Sequence, residues 1–332
     1  MLTGSITLFA TMLVTVYLMP LAYAGVLSVR AASIEAGQPI WPSDPAQFSY
    51  NGEKFDLYNV PLNDTLRTLA LTKPGREQST FIDPNNPTQP IEWQGRWRTL
   101  DRVWNFSPHW SNFAEAWTIT TFGRLFFNTV AIAVIGTIGA VSSAVVVAYG
   151  FSRFRIPGKT ILFTILVGTI ILPQQVTIVP TYAMFAKIGW VGTWLPLLVP
   201  HFFGNAYNVF LLRQFFLSIP RDMDEAAMID GASPLRTLLS VIVPQAWPAI
   251  TAVCLFHFFF AWNDFLAPLV YLVGHEELWP ISVGMSYFST QYQQLPHLVQ
   301  ATAVMALALP VAVFILAQKV FVQGVVVTGV EK

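Results

Sequence analysis

No charged residue falls between Arg124 and Arg153, between Lys159 and Lys187, or between Arg236 and Asp264. A helix needs about 20 mostly apolar residues to cross a bilayer, and backbone in lipid must satisfy its own hydrogen bonds. Runs of this kind leave a chain few options besides spanning helices. Six segments qualify, at about 5–27, 124–153, 159–187, 190–213, 238–262 and 298–318. The second, third and fifth read as long, clean spans, whereas the fourth carries His201, Asn205 and Asn208. Only 11% of residues are charged, against about 25% in a soluble domain. The formal net charge of +0 points to no nucleic-acid partner. The single cysteine, Cys254, excludes an intrachain disulfide and any paired-cysteine metal or redox site. Ala22–Ala24 resembles a signal-peptide cleavage site, but the chain start lacks the basic residues such a peptide needs, so a retained helix is expected.

Orientation follows from the excess of Lys and Arg on the cytoplasmic side of membrane proteins. The loop "FSRFRIPGK" carries Arg153, Arg155 and Lys159 and no acid. The connection after the fourth segment carries Arg213, Arg221 and Arg236, and the C-terminal part carries Lys319 and Lys332. The expected fold is therefore an all-α polytopic membrane protein with six transmembrane helices and both termini cytoplasmic. An external insertion is expected between the first two helices. The corresponding divisions are a first helix at 1–29, an external segment at 30–122, a membrane core at 123–318 with a cytoplasmic loop at 220–240, and a cytoplasmic tail at 319–332.

The external segment is polar and rich in Pro, Asn, Asp and Trp. In "FSYNGEKFDLYNV" an Asn51-Gly52 turn joins two runs with β-forming residues, which predicts a hairpin. A second hairpin is expected around Gln94-Gly95. A small β-containing insertion fits this length better than a structureless loop. Trp93, Trp97, Trp104 and Trp110 serve either as anchors for a partner or as the insertion's own core.

The cytoplasmic loop "RDMDEAAMIDGASPLRTLLSVIVP" has a local logic. Pro220 suits a helix start, and Asp222, Asp224 and Glu225 place negative charge at the helix N-terminus, where the dipole favours it. Ala226 and Ala227 are small enough for another surface to approach the backbone closely. Gly231 permits the positive φ that ends the helix, and Ser233-Pro234 reads as the cap and first residue of the next. The result is a short surface helix joined at a glycine to a spanning helix. It is either a lever that a cytoplasmic partner can grip or an ordinary amphipathic connector.

Glu225-Ala226-Ala227, followed by Gly231, Ile242 and Pro244, resembles the "EAA" loop of ABC importer permeases. "LLRQFFLSIPRDMDEAAMIDGAS", "ILPQQVTIVPTY", "AWNDFLAPLVYL" and "VFVQGVVVTGVEK" are similar to the carbohydrate branch, the maltose-type second permease. The likeness covers about 112–332 and leaves out most of 30–110. It implies a multi-pass subunit of a bacterial-type inner membrane, importing a sugar delivered by an external solute-binding protein. A related permease for a non-sugar solute such as a glycerol phosphate is the alternative. The implied partners are a second permease in a heterodimer, two copies of an ABC ATPase, and membrane lipid. The ATPase, not this chain, would bind ATP and Mg, and the chain itself would need no cofactor, hold no metal and catalyse no reaction. Glu225, Ala226, Ala227, Asp230 and Gly231 would be the ATPase-coupling residues. The C-terminal "GVVVTGVEK" is a further contact with the ATPase on the same resemblance.

Gln174 and Gln175 beside Pro173, and Asn263 and Asp264 near the end of the fifth segment, are polar at membrane depth. They are candidates for a substrate path, with Trp262 or Tyr271 stacking on a sugar ring, or else for hydrogen-bonded glue between helices. "PGKT" at 157–160 lacks the leading glycine of a phosphate-binding loop, and "HEELW" at 275–279 lacks the second histidine of a zinc-protease helix. His109, His201, His257 and His297 show no ligand spacing. An intramembrane enzyme would need a catalytic cluster, and Asp264 stands alone. An autonomous carrier would need buried ionisable residues and internal repeats, yet the second to fourth segments contain no acid.

Overall fold

The computed structural model describes residues 2–32, 37–62, 65–288 and 295–326. The chain forms two compact units, one of residues 1–118 with 288–305 and the other of 119–287 with 306–332.

The first unit begins with α1 (Leu2–Ser28). Its side chains are exposed from Gly4 to Tyr23, so the helix presents an apolar surface that the described residues leave open. Its end is fixed by Asn112, in the first turn of α2 (Ser111–Ile119). The buried Asn112 amide donates to the carbonyls of Ser28 at 2.9 Å and Arg30 at 2.8 Å.

Among the described residues, eight strands lie between these helices: β1 (Ser43–Pro45), β2 (Gln47–Tyr50), β3 (Glu53–Leu62), β4 (Thr65–Lys73), β5 (Gln78–Asp83), β6 (Asn86–Gln94), β7 (Asp101–Arg102) and β8 (Trp104–Phe106). Strands β2 to β6 follow one another as an antiparallel meander, β7 pairs with β3, and β1 pairs with β8. The Asn51-Gly52 hairpin forms as the sequence predicts, with φ of 52° and 84°, the twist that suits a two-residue turn. The second hairpin is misplaced by the sequence reading. Its turn is at Pro84-Asn85, where the Asp83 carboxylate accepts from the Asn85 N–H at 2.9 Å. Gln94-Gly95 instead ends β6, and the chain passes into a 3₁₀ turn at Trp97–Thr99. Tyr58, Val60, Leu69 and Phe81 form the sheet's core. Trp97 meets Tyr58 edge-on at 5.9 Å and Trp93 meets Phe81 at 6.2 Å, so these two tryptophans serve the insertion's own core. Trp110 is 68% exposed. Beside the sheet, Asp44 sits 2.9 Å from His109. Burial raises its pKa, but hydrogen bonds from His109 and Ser107 outweigh this and hold the carboxyl below its ordinary value.

The second unit is helical. It comprises α3 (Phe122–Arg153), α4 (Lys159–Gly168), α5 (Gln174–Lys187), α6 (Leu195–Leu198), α7 (Ala206–Ser218), α8 (Asp222–Ile229), α9 (Pro234–Thr237), α10 (Val243–Gln245), α11 (Trp247–Asn263), α12 (Leu266–Tyr271), α13 (Ile281–Gly284) and the later part of α14 (Pro296–Val326). α3 is the spine. Val141, Ala144, Val145 and Ala148 on it pack against Val209, Leu212 and Phe216 of α7 and against Ile250 and Val253 of α11. Gly139 lets the Phe202 ring approach the α3 backbone, since a Cβ there would lie 2.7 Å from that ring.

Among the described residues, four helices are long and apolar enough to cross a membrane, or up to six if each of two bent pairs is one span. The chain is thus a mostly helical membrane protein with a sheet inserted between its first two long helices. The third and fifth segments are not the clean spans that their composition predicts. The third bends by 102° between Ile171 and Gln174. Pro173 has no N–H to give and forces Leu172 into extended backbone, with ψ of 116°. The fifth bends by 82° between Gln245, the last residue of α10, and Trp247, the first of α11. Pro244 and Pro248 flank that bend, and a π-helical turn at Leu238–Ile242 precedes it. The fourth span runs over Leu195–Ser218, shifted toward the C-terminus from the expected 190–213. Asn205 restarts it after Gly204 by accepting from the Asn208 N–H at 3.1 Å. The sixth lies within α14, which continues to Val326 through most of the expected tail. Val327–Lys332, the end of the tail proposed to touch an ATPase, lies outside the described residues.

Candidate functional site

α8 stands between the fourth and fifth membrane segments. Its C-terminus closes as the sequence predicts. Gly231 has φ of +77°, its N–H donates to the Met228 carbonyl at 3.0 Å, and the Ala232 N–H reaches the Ala227 carbonyl at 2.9 Å. Ser233 then caps α9, its hydroxyl accepting from the Arg236 N–H at 3.4 Å. Glu225, Ala226, Met228, Ile229, Asp230 and Gly231 are all exposed and Ala227 is half-buried. Ile229 is 86% exposed, an apolar side chain presented to solvent at the end of α8.

One acid of the first turn points the other way. Asp224 is buried, and its carboxylate lies 2.8 Å from Nε of Arg153, the last residue of α3. Both side chains are 7% exposed. Arg153 also donates through Nη2 to the Ile219 carbonyl at 3.0 Å, just before α8. At the other side Gln245 of α10 donates to the sulfur of Met223. α8 is therefore tied to α3 by a buried ion pair and to α10 by a side-chain contact. In the sequence Arg153 has only a role in orientation and Asp224 only a role at the helix dipole. Neither role hints that the two side chains meet.

The second candidate site is a cavity of about 710 Å³ among α5, α6, the 3₁₀ turn that follows it, α11 and α12. Gln174, Thr177, Thr181, His201, Asp264 and Tyr271 contribute to its lining. Of the path candidates, Gln174, Asp264 and Tyr271 come together here. Gln175, Trp262 and Asn263 do not line it. Trp262 is buried against Phe126 and Phe258. The Asn263 amide turns back to the Phe259 carbonyl of its own helix at 2.8 Å. Asp264 marks a helix break, because its carboxylate accepts from the Ala267 N–H at 3.4 Å at the start of α12. Tyr271 shares a hydrogen bond of 2.7 Å with Thr181 and stacks on Tyr182. His201 carries no signal in the sequence, because no ligand partner stands at helical spacing. In the fold its ring meets that of His257 at 4.8 Å, and the Asn208 amide lies 3.2 Å from His257 Nδ1.

The two sequence lookalikes resolve into plain turns. Lys159 of "PGKT" starts α4 and donates to the Phe154 carbonyl at 3.2 Å. His275 of "HEELW" pairs with Glu277 at 3.2 Å in an exposed 3₁₀ turn.

Two bent spans and a short helix, α8, anchored to the bundle between the fourth and fifth segments are the features to set beside known proteins. Residues 140–327 match the family described as "Binding-protein-dependent transport system inner membrane component", and the chain belongs to that family. It is a multi-pass inner-membrane permease of a binding-protein-dependent ABC importer, and ATP hydrolysis is not an activity of this subunit class. Among curated relatives, it is 29% identical over 274 residues to the osmoprotective compounds uptake permease protein GgtD of Synechocystis, covering 82% of this chain and 92% of that one. It is 31% identical to the diacetylchitobiose uptake permease NgcG of Streptomyces coelicolor, covering 64% and 71%. It is 32% identical to the sn-glycerol-3-phosphate permease UgpE of Rhizobium meliloti, covering 68% and 79%. In fold it resembles a chain of a bacterial ABC transporter involved in the import of the polysaccharide alginate, with a TM-score of 0.66 at 20% identity and 96% coverage of both chains. At that coverage the match runs over the sheet insertion as well as the helices.

Proposed function

We propose that this permease imports a carbohydrate. It would do so beside a second permease subunit, with two copies of an ABC ATPase that bind ATP and Mg and an external solute-binding protein that delivers the sugar. The relatives named above take up osmoprotective compounds, diacetylchitobiose and sn-glycerol-3-phosphate, so family membership leaves the solute open. The observation that favours a sugar is the lining of the cavity. Among the described residues it offers amide, hydroxyl, imidazole and carboxylate groups beside aromatic rings, and no lysine or arginine. A phosphate-bearing solute calls for cationic hydrogen-bond donors, and Asp264 would repel it. Gln174, Asp264 and Tyr271 are the proposed contacts, while Trp262 packs α11 against α3 and Asn263 bonds within its own helix.

Glu225, Ala226, Ala227, Asp230 and Gly231 form the proposed grip for the ATPase. The exposure of Glu225, Ala226, Asp230 and Gly231 on and just after an anchored helix supports that role. The test is to purify the assembled complex in nanodiscs and measure ATP hydrolysis driven by its binding protein. Stimulation by a di- or oligosaccharide is the expected result. Stimulation by sn-glycerol-3-phosphate and by no sugar would replace this reading with the phosphate one.

The proposed orientation puts both termini, α8 and the α3–α4 turn in the cytoplasm, and the sheet insertion outside. With Cys254 first replaced by Ala, a membrane-impermeant thiol reagent should label Thr160→Cys only from the cytoplasm and Asn86→Cys only from outside. Both positions are exposed. Labelling of Asn86→Cys from the cytoplasm would invert the map.

A further inference from the structure

After α3 the chain turns through Phe154–Gly158 and starts α4 at Lys159, beside the residue that leads into α8. This turn and Arg221 enclose a cleft of about 430 Å³. Four lining side chains are cationic, Arg153, Arg155, Lys159 and Arg221, and none is acidic. Arg153 is already paired with Asp224. Among the described residues, no carboxylate lies within 4 Å of the charged groups of the other three. Lys159 spends one N–H on the Phe154 carbonyl and keeps two. A fifth cation, Arg213, stands near, its Nε donating to the Phe151 carbonyl at 3.4 Å and its guanidinium 4.1 Å from the centre of the Phe163 ring. Like charges held this close repel one another until an anion joins them.

The wall next to the cleft is apolar. Phe154 is 44% exposed, and one turn along α4 from Lys159 Ile161 and Leu162 are 67% and 48% exposed. Cations therefore meet outward-facing apolar side chains where α3 and α4 leave their uncharged runs. A phospholipid has the matching shape, with an anionic phosphate at the headgroup and acyl chains beyond it. Basic pockets at the cytoplasmic ends of spanning helices suit such headgroups. A free phosphate would gain nothing from the exposed wall.

We propose that this cleft binds the phosphate of an anionic phospholipid of the cytoplasmic leaflet, with an acyl chain along Ile161 and Leu162. The proposal rests on the orientation given above for the α3–α4 turn. Arg221 immediately precedes α8, so the bound headgroup holds the root of the lever at the membrane surface.

The test uses the whole complex, purified in detergent and reconstituted in nanodiscs of phosphatidylcholine with or without phosphatidylglycerol. Lipid retention is read by native mass spectrometry, and ATP hydrolysis driven by the loaded binding protein is read in the nanodiscs. Phosphatidylglycerol should co-purify with the wild type and raise its stimulated hydrolysis. Arg155→Gln with Arg221→Gln, both exposed positions, should lower retention on the order of ten-fold and abolish the response to phosphatidylglycerol. Arg236→Gln, a cation outside the cleft, should leave retention unchanged. Equal retention by the double variant overturns the proposal. So does a response to inorganic phosphate in phosphatidylcholine discs that matches phosphatidylglycerol, which would assign the cleft to a free anion. Loss of the ATPase from the double variant with lipid retained would assign the cations to that partner instead. Labelling at Thr160→Cys reports the orientation separately, so a failure there is distinguishable from a failure of lipid binding.

Discussion

Asp224→Asn should abolish coupled transport while the chain still inserts in the membrane. The substitution keeps the shape of the side chain and removes its charge, leaving Arg153 buried at 7% exposure with no counter-ion. Breaking one side of a buried pair typically costs about 3–5 kcal/mol. By contrast, an acid in the first turn of a helix contributes about 0.3–1 kcal/mol through the dipole. Asp222 supplies the comparison, because it lies in the same turn and is exposed. Asp222→Asn should therefore change transport little. The large difference between the two variants is the signature of the ion pair.

The pair holds α8 against the end of α3, and in the proposed coupling role it would carry force from α8 to the spine of the bundle. Replacing both partners with apolar residues, Arg153→Met with Asp224→Leu, removes the buried charges together. Such exchanges are often neutral or stabilising, so this double variant should recover transport that either single variant loses. The measurement is solute uptake into proteoliposomes, normalised to the amount of inserted complex. Wild-type uptake by Asp224→Asn at normal abundance would sink the anchoring role.

How much of this could be read from the chain depended on how local the cause was. Uncharged runs between Arg124 and Arg153 and along 298–318 became long helices, because span length is a property of one segment. Asn51-Gly52, Gly231 and Ser233 adopted the expected conformations, since each is dictated by its own neighbours. The bends at Pro173 and Pro244 were local too. Hydropathy averages over a whole segment, however, and hid the proline inside it. The second hairpin was lost to a competing signal. Gln94-Gly95 looked like a turn, but Asp83-Pro84-Asn85 has a side chain that closes one. What depends on distant pairing was not legible. The contact of Arg153 with Asp224 and the meeting of His201 with His257 needed the fold. In each case a plain local role existed that made the residue look explained.

Gly231→Val should uncouple the transporter, and the graded series around it separates backbone strain from crowding. The residue has φ of +77°, and a Cβ built there meets nothing within 4 Å. Any cost is therefore conformational. Asparagine visits this region with little penalty, so Gly231→Asn should transport nearly as well as the wild type. Alanine should cost about 1 kcal/mol, with a partial loss. Valine is a true outlier at positive φ, where strain reaches about 1–3 kcal/mol. It can be relieved only by giving up the hydrogen bonds from Gly231 to Met228 and from Ala232 to Ala227. Losing them re-aims α8 relative to α9, which would move Glu225, Ala226 and Ala227 away from the proposed ATPase contact. Hydrolysis stimulated by the binding protein should fall in the order Asn, Ala, Val, with Glu225→Lys also impaired although it strains no backbone. Equal activity across the series, with Glu225→Lys unimpaired, would show that this loop is only a connector.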